Sequence, residues 1–416
     1  MAINLRSRGA ALGIIVVGLS LAIAGCSGTS TTAPSTSAAA GDPFGTPNAA
    51  KGDPVVFGAL NLESGPVTFP EALLAEQAAI SYVNAYKGGI GGHPIKLVTC
   101  QTDGSPATSQ RCANQILDQK PVAILGAADT GAPGAIPVWA NANLPYLGGI
   151  GFTPVEQNYK NAVIFSAVSS ADNATSGYYA GTTLKAKSAA VIYTSDTQGT
   201  ASAENWIIPG LTKSGVSKVT KIAIPPTASD VSSAVATAVG ANPDVIFVDA
   251  PAACPNILSS LKQLGNTAKI MGIDPCTSPA AIAGANGGAE GLYFATAVLD
   301  PGAGTAETKL YLAAMQKYAP ASTALDSIAS VGFQTVINVQ AALAKSTPAD
   351  LTTDKIMAAF KTGSDHPNFL GHPYTCDGTA LPGFTAICNT YEQVRQVKNG
   401  KAVAVGNGDF INAFGK

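Results

Sequence analysis

The 416-residue chain is poor in charged, aromatic and histidine side chains. Charged residues make up only 12% of it, and its 24 lysines and arginines nearly balance its 26 aspartates and glutamates. Electrostatic binding of nucleic acid needs a basic patch or stripe, which this sequence lacks. Beyond residue 25 it also lacks an apolar run of about 20 residues, the length that crosses a membrane. Nucleic acid is therefore not an expected partner.

The sequence signatures of common hydrolases are also missing. Downstream of residue 26 there is neither a G-x-S-x-G nucleophile elbow nor an H-E-x-x-H zinc motif. The chain has three histidines, of which His93 lies in a predicted turn and His366 and His372 flank a predicted loop. Their placement does not suggest a metal site. We therefore expect neither an enzyme, nor a bound metal, nor a cofactor.

The N-terminal residues, by contrast, carry an export signal. Arg6 and Arg8 precede an almost entirely apolar or small run at 9–25, which is too short for a stable membrane span. The run leads into Ile-Ala-Gly-Cys, residues 23–26, which resembles the lipobox at which bacteria attach a diacylglyceryl group to a cysteine thiol. The alternative is an ordinary signal peptide with an incidental cysteine. Double acylation of Cys26 would anchor the mature chain durably to a membrane.

Residues 26–53 are expected to form a flexible tether. Serine, threonine, alanine, proline and glycine dominate this stretch, and such a composition cannot bury a hydrophobic core. Signal and tether together predict an extracytoplasmic protein that is lipid-anchored to the bacterial cell membrane. The rest of the chain is long enough for two domains.

Seven cysteines are present, and six remain once Cys26 is assigned to the lipid anchor. An exported chain folds in an oxidising compartment, where disulfides form. Bridges between neighbouring cysteines would each stabilise the fold by roughly 3 kcal/mol if unstrained. A metal cluster would need closer spacing, but six cysteines allow many pairings, so the local pairing is a prediction. The predicted pairs are Cys100 with Cys112, Cys254 with Cys276, and Cys376 with Cys388.

From residue 54 onward, short apolar runs alternate with longer stretches of helical periodicity. Residues 55–60 (VVFGAL) predict a buried strand, and 69–86 carry apolar side chains at helical spacing. The alternation starts afresh near residue 188. Strands that alternate with helices indicate parallel sheet, so we predict an α/β fold with two doubly wound lobes. In the tail, Asp377-Gly378 and Asn399-Gly400 predict β-hairpins.

Several segments, taken in order, resemble a known family. They include FGALNLESGP, AISYVNAYKGGIGGHPIKLVTCQTDGSP and VAILGAADTGAPGAIPVWANANLPYLG. The ordered series, over about 54–405, is similar to the type I periplasmic binding proteins. Within that family it resembles the branched-chain amino-acid branch that serves ATP-driven importers. The resemblance implies two α/β lobes, joined by three crossovers, that close on a ligand by hinge motion.

The resemblance also implies how the chain is divided between the lobes. The crossovers are expected near Ser166–Ser169, Phe294–Val298 and Leu370–His372. Each lobe is then built from two discontinuous stretches. The expected stretches are 54–167 and 297–370 for the N-terminal lobe, and 168–296 and 371–416 for the C-terminal lobe.

In the first lobe, the resemblance points to loops that follow predicted strands. Asp129 and Thr130 lie where a strand gives way to a helix, and the backbone N–H groups at a helix start suit a ligand carboxylate. Asp129 could instead cap that helix, and its charge would then disfavour an anionic ligand. In the loop GGIGFTP, amino-acid-binding relatives present a threonine to the ligand ammonium. Here Phe152 falls at that position and Thr153 follows it, so either the alignment slips by one residue or recognition differs.

In the second lobe, the resemblance gives most weight to Asp274. It matches the family's acidic position, which pairs with the ligand ammonium, although a turn-forming role before Pro275 is the alternative. Asp249 ends a predicted strand, and Gln198 lies in a loop that should face the same cleft. Phe333 could supply an apolar wall or belong to the core. The complete set of candidate ligand-binding residues is Ser64, Asp129, Thr130, Ile150, Phe152, Thr153, Gln198, Asp249, Asp274 and Phe333.

These features predict the substrate-binding lipoprotein of an ABC importer, which captures a small molecule by hinge closure. A branched-chain or other hydrophobic amino acid is the first expectation, because an acidic side chain in a cleft requires a cation or several donors. The alternatives are a small organic acid or amide as ligand, and a role as a ligand sensor. The expected partners are the permease subunits and, through the lipid anchor, the membrane, with the protein itself a monomer.

Overall fold

The computed structural model describes residues 42–65, 67–166 and 168–415. The export signal, the lipobox with Cys26 and the first part of the predicted tether lie outside the described residues. Within the described ranges, no helix combines the length and the apolar character needed to cross a membrane.

The described strands form two sheets. In chain order the strands are β1 (Val55–Leu62), β2 (Ile95–Thr102), β3 (Ala123–Gly126), β4 (Tyr146–Gly148), β5 (Ala162–Val163), β6 (Ser188–Thr194), β7 (Lys218–Ile224), β8 (Val245–Asp249), β9 (Lys269–Gly272), β10 (Tyr293–Thr296), β11 (Tyr391–Lys398), β12 (Lys401–Ala404) and β13 (Phe410–Asn412).

Helices alternate with these strands, as the periodicity predicts. In chain order the α-helices are α1 (Pro70–Tyr82), α2 (Pro106–Leu117), α3 (Ala132–Asn141), α4 (Pro154–Gln157), α5 (Val168–Thr182), α6 (Thr197–Ser202), α7 (Ile208–Lys213), α8 (Ser232–Gly240), α9 (Cys254–Gln263), α10 (Pro279–Gly284), α11 (Ala306–Tyr318), α12 (Ser327–Leu343) and α13 (Thr353–Lys361). Short π-helical turns follow α1 and link α6 to α7.

The first sheet is parallel throughout, in the order β2-β1-β3-β4-β5. Side chains alternate across a strand, so neighbours in β3 serve opposite faces. Leu125 joins a core with α1, α11 and α12, whereas Ile124 joins one with α2 and α3. Where α1 and α12 cross, a Cβ at Gly332 would collide with the carbonyl oxygen of Ala72. This sheet and its helices are called the first lobe below.

The second sheet runs β12-β11-β10-β9-β8-β6-β7, with β13 paired to β11. Strands β6 to β10 are parallel, and β11 is antiparallel to its partners. The predicted hairpin at Asn399-Gly400 joins β11 to β12, and both turn residues have positive φ, 52° and 71°. This sheet, with α5 to α10, is called the second lobe. Two doubly wound α/β lobes are therefore present, as predicted.

Among the described elements, the chain passes between the lobes between β5 and α5, between β10 and α11, and before β11. The third passage comes later than the predicted Leu370–His372. Tyr374 packs on Phe165 of the first lobe with ring centroids 4.9 Å apart, and Ile387 pairs with Ile164. These apolar contacts keep the segment on the first lobe, so Asp377-Gly378 forms no hairpin and the chain crosses just before β11.

The six downstream cysteines form the three predicted neighbour pairs. Their Cα atoms lie 5.5, 5.5 and 4.3 Å apart, within or close to the range that disulfides require. One bridge links β2 to α2, the second links the loops that follow β8 and β9, and the third closes the segment before β11. The bridges are Cys100–Cys112, Cys254–Cys276 and Cys376–Cys388.

The predicted tether, 26–53, extends too far, because residues from Phe44 onward pack on the first lobe. The Phe44 ring lies 5.1 Å from that of Tyr86, and the Lys317 ammonium lies 4.9 Å from the Phe44 centroid. Farther along, the Ala50 amide donates to the Asn84 carbonyl at 2.8 Å. Composition alone predicted a flexible segment, but one aromatic anchor and several backbone hydrogen bonds hold it.

Candidate functional site

Asp274 connects the two lobes at the carboxyl end of β9. It lies just beyond β9, and one of its oxygens accepts a hydrogen bond from the Ser327 hydroxyl at the start of α12. The other oxygen accepts the Thr277 hydroxyl at 3.2 Å. The N-cap of α12 is Asp326, whose carboxylate accepts the Ala329 amide at 3.0 Å. Asp274 therefore lies at the interface between the lobes, with an acidic helix start facing it.

Three carboxyl groups gather at this contact, namely Glu71, Asp274 and Asp326. Burial raises the pKa of Asp274 to about 7, and the charge of Asp326 adds to the rise. Burial also raises the pKa of Glu71, in the first turn of α1, to about 7, again with a contribution from Asp326. Burial raises the pKa of Asp326 itself. A cation placed among these groups would replace their protons and relieve their repulsion.

A second acidic pair, Asp172 of α5 and Glu392 of β11, is buried beside an arginine. Burial, and then the charge of Glu392, raises the pKa of Asp172 well above its usual range. Burial raises the pKa of Glu392 too. The charge of Arg395 opposes the rise at Asp172 and Asp274. Among the described residues that perturb the carboxyl groups at this interface, Arg395 is the only cation.

Arg395 is already hydrogen-bonded to segments through which the chain passes between the lobes, called the hinge below. Its guanidinium donates to the Val298 carbonyl at 2.6 Å and to the side-chain oxygen of Gln393 at 3.2 Å. The same oxygen accepts the Asp300 amide at 2.8 Å. These bonds join β11 to the segment that leaves β10, so two of the passages between the lobes are tied together. The arginine therefore serves the hinge and is not a free anion-binding group.

Asp249 forms a separate polar cluster at the carboxyl end of β8. It is 6% exposed, and its Oδ2 atom has no hydrogen-bond partner among the described residues. Burial raises the pKa of Asp249 to about 6, although a hydrogen bond from Ser202 opposes the rise. The Asn173 side chain of α5 donates to the same Ser202 hydroxyl at 2.7 Å. The cluster therefore offers an unused acceptor on the second lobe.

Asp129 does not occupy the N-cap of α3, which is Gly131. One carboxylate oxygen accepts the Thr102 hydroxyl at 2.8 Å and the Gly131 amide at 3.2 Å. The other oxygen is buried and has no partner among the described residues. The Thr130 hydroxyl donates to the Gly104 carbonyl at 3.3 Å. An anionic ligand at this helix start would therefore meet a buried carboxylate.

The loop after β4 divides into a buried part and a partly exposed part. Ile150 is 1% exposed, and its amide donates to the Ala127 carbonyl at 3.0 Å, so it belongs to the core. Phe152 is partly exposed and stacks on Phe69, with centroids 5.9 Å apart and planes inclined by 19°. Thr153 is the N-cap of α4, and its amide donates to the carboxyl group of Glu156. Phe152 therefore supplies an apolar surface where relatives were expected to supply a hydroxyl.

The three remaining candidates make no described hydrogen bond to Asp249 or Asp274. Ser64 is exposed, and its hydroxyl donates to the Thr102 carbonyl at 3.2 Å. Gln198 is exposed on α6. Phe333 is fully buried in the first lobe, where its ring lies 5.3 Å from Tyr311. Phe333 thus has the core position that the sequence left open as an alternative to a cleft wall.

Comparison with known proteins identifies this architecture. Residues 54–381 match a family model described as periplasmic binding protein. The chain belongs to the periplasmic binding protein family. Membership of this family accounts for the two-lobed α/β fold and for the extracytoplasmic location of the protein. No curated protein sequence matches the chain.

Solved periplasmic binding proteins share this fold. Leucine-binding protein LivK from Thermotoga maritima has 20% identity and a TM-score of 0.71, covering 86% of this chain and 99% of its own. LivJ from Streptococcus pneumoniae, in complex with isoleucine, has 18% identity and a TM-score of 0.70, with coverage of 86% and 99%. A solute-binding protein from Rhodopseudomonas palustris, in complex with 3,4-dihydroxybenzoic acid, has 18% identity and a TM-score of 0.71, with coverage of 86% and 98%. At such identities the likeness establishes the fold.

Several polar and charged residues at the interface between the lobes of this periplasmic binding protein were not predicted from the sequence. The Asp326-Ser327 pair before a helical run signals a helix start, but nothing local places that start beside Asp274. Glu392 and Arg395 interrupt a run of residues that is typical of a strand. This interruption was the one indication in the sequence that charged side chains are buried there. The missed residues are Glu71, Asp172, Asp326, Ser327, Glu392 and Arg395.

Proposed function

We propose that this periplasmic binding protein is the substrate-binding lipoprotein of an ABC importer. It would be anchored through Cys26, act as a monomer and deliver its ligand to permease subunits. The ligand is a small ammonium-bearing molecule of the amino-acid class, captured as the lobes close around it. The observation that carries this proposal is Asp274, which contacts the opposite lobe through Ser327 among further carboxyl groups.

The charge of the interface supports an ammonium group rather than a purely anionic ligand. Glu71, Asp274 and Asp326 lie together, and burial raises the pKa of each. The neighbouring cation, Arg395, is bonded to the Val298 carbonyl and to a glutamine. An added anion would therefore face carboxylates without a free positive partner, which is costly away from water.

An apolar surface supports a ligand that also has a hydrophobic part. Phe152 is partly exposed and stacked on the buried ring of Phe69. Aromatic rings held in this way provide contact area with little further loss of conformational entropy. A branched-chain or other hydrophobic amino acid therefore comes first. A benzoate-like acid is the alternative, because the Rhodopseudomonas palustris protein with this fold is in complex with one.

Calorimetry on the wild type and on Asp274→Asn tests the proposal. Leucine, isoleucine, valine, norleucine and 3,4-dihydroxybenzoate form the panel, and ligands found by thermal shift are titrated. We expect a hydrophobic amino acid to bind the wild type and to bind Asp274→Asn about 10- to 100-fold more weakly, because an ion-paired hydrogen bond is lost. The exposed Asp118→Asn is the matched control and should leave affinity unchanged.

Two outcomes would contradict the proposal. If folded wild type binds none of the amino acids, the assigned ligand class is wrong. If it binds only the benzoate, with equal affinity in the wild type and in Asp274→Asn, then Asp274 does not select for an ammonium group and the organic-acid alternative replaces ours.

A further inference from the structure

We infer that the ligand carries a second cationic group and that the carboxylate of Asp249 binds it. This inference rests on the proposed function, since it concerns the far end of the same ligand whose ammonium is assigned to Asp274. It keeps the apolar chain that Phe152 would contact and adds a terminal ammonium to it, so lysine takes precedence over the leucine-type ligands that Asp274 and Phe152 alone would favour.

The first support is the unused acceptor on Asp249. The residue ends β8 and is only 6% exposed. One of its carboxylate oxygens has no hydrogen-bond partner among the described residues. Buried polar atoms are nearly always paired, so an unpaired oxygen at the ligand-facing edge of a sheet is an exception that needs a cause. A ligand group that donates a hydrogen bond would satisfy it.

The second support is the position of Asp249 beside Asp274. β8 and β9 are neighbouring parallel strands, with Val248 opposite Gly272, so both aspartates follow the paired ends of adjacent strands. Neighbouring strands lie about 4.8 Å apart, which places the two residues along the same edge. The Cys254–Cys276 bridge further links the loops that follow them. One small ligand can therefore reach both carboxylates.

The third support is the charge around Asp249. The groups that perturb it are the Ser202 hydroxyl and the negative charge of Asp196, and no cation among the described residues does so. The Ser202 hydroxyl is further held by the Asn173 amide. A charged donor binds such a carboxylate more strongly than a neutral donor does. The surroundings therefore favour an ammonium or guanidinium group over a hydroxyl.

Lysine and norleucine form a matched pair of ligands for the test, because they differ by the terminal ammonium. By calorimetry at pH 7.5, we expect wild type to bind lysine more tightly than norleucine. Asp249→Asn should weaken lysine binding about 10- to 100-fold and reduce the preference for lysine over norleucine by a similar factor. Asp118→Asn is the control, because Asp118 is exposed on the first lobe, and it should leave the binding of both ligands unchanged.

The outcomes separate this inference from the proposed function. If norleucine binds wild type as tightly as lysine does, or if Asp249→Asn weakens both ligands equally, the second cationic site is wrong while the proposed function stands. If folded wild type binds neither ligand nor leucine, the amino-acid class fails, and the inference fails with it. The wild-type comparison of the two ligands decides the inference even if Asp249→Asn does not fold.

Discussion

The surroundings shift the pKa values of individual aspartates in opposite directions within this one chain. At the surface, hydrogen bonds from Lys355 and Thr347 hold the pKa of Asp350 below its ordinary value. At the carboxyl end of β8, loss of hydration raises the pKa of Asp249 to about 6. The residue type is the same, so the environment makes the difference. Asp249 and Asp274 are thus groups whose charged form would become favourable beside a bound cation.

The first prediction concerns pH and the stability of the ligand-free protein. The pKa of Asp274 is about 7 in the folded state and near 4 when unfolded, so its contribution to stability is complete below pH 4 and lost as pH rises through 7. Asp274→Asn removes this titration. Urea unfolding should therefore show that the variant gains stability relative to wild type between pH 5 and pH 8. A wild-type-to-variant difference that is constant over this range would contradict the assignment.

At the scale of helices and strands, turn residues predicted a hairpin correctly where the two strands that pair are neighbours in the sequence. Asn399-Gly400 joins two strands that pair with each other, so turn chemistry alone determined that hairpin. Asp377-Gly378 has equally good turn chemistry, but Tyr374 and Ile387 on either side pack on the first lobe. The predicted third crossover failed for the same reason. Distant packing overrode the local pattern, and the sequence contains no short-range sign of it.

The second prediction concerns the bond between β11 and the segment that leaves β10. Arg395→Met removes the cation that faces Asp172 and Asp274 and the donor to the Val298 carbonyl. We expect the free energy of unfolding to fall by about 1–3 kcal/mol, because the buried Val298 carbonyl and the Gln393 side chain lose a charged hydrogen-bond donor. Urea denaturation measures it.

A matched control separates this loss from a general effect of removing an arginine. Arg111 is exposed on α2, and Arg111→Met should change stability by no more than about 0.5 kcal/mol. Adding Asp172→Asn to Arg395→Met should recover part of the loss, because it removes one of the stranded acidic groups. If Arg395→Met and Arg111→Met prove equally stable, the hinge role of Arg395 is wrong.

At the scale of the whole molecule, the sequence predicted the fold better than the site. Alternating strands and helices determine two doubly wound lobes, and parallel strands bring their carboxyl ends to one edge. The resemblance to the family, rather than this pattern, singled out Asp274. The hinge groups could not be named in advance, because Asp172 and Glu392 are more than 200 residues apart and meet only in the folded chain. The order of the segments along the chain was enough to predict the fold. The residues of the site could not be predicted in this way, because they depend on contacts between distant parts of the chain.

The third prediction concerns the anchor of the whole molecule. Cys26 lies outside the described residues, and its acylation is proposed from the lipobox. Expressed with its own export signal, wild type should fractionate with membranes and incorporate labelled fatty acid. Cys26→Ala should be soluble and unlabelled, because one residue carries the lipid. A Cys26→Ala protein that remains membrane-bound and acylated would contradict the assignment.

The docking of Phe44 on the first lobe has a mechanical consequence. Phe44 packs on Tyr86, in the π-helical turn that follows α1, and the Ala50 amide is bonded to Asn84 of the same turn. A force applied through Phe44 is therefore borne first by the first lobe. If the chain is anchored through Cys26 as proposed, only the first lobe is attached directly, and tension on the anchor should leave the balance between open and closed forms of the proposed hinge unchanged.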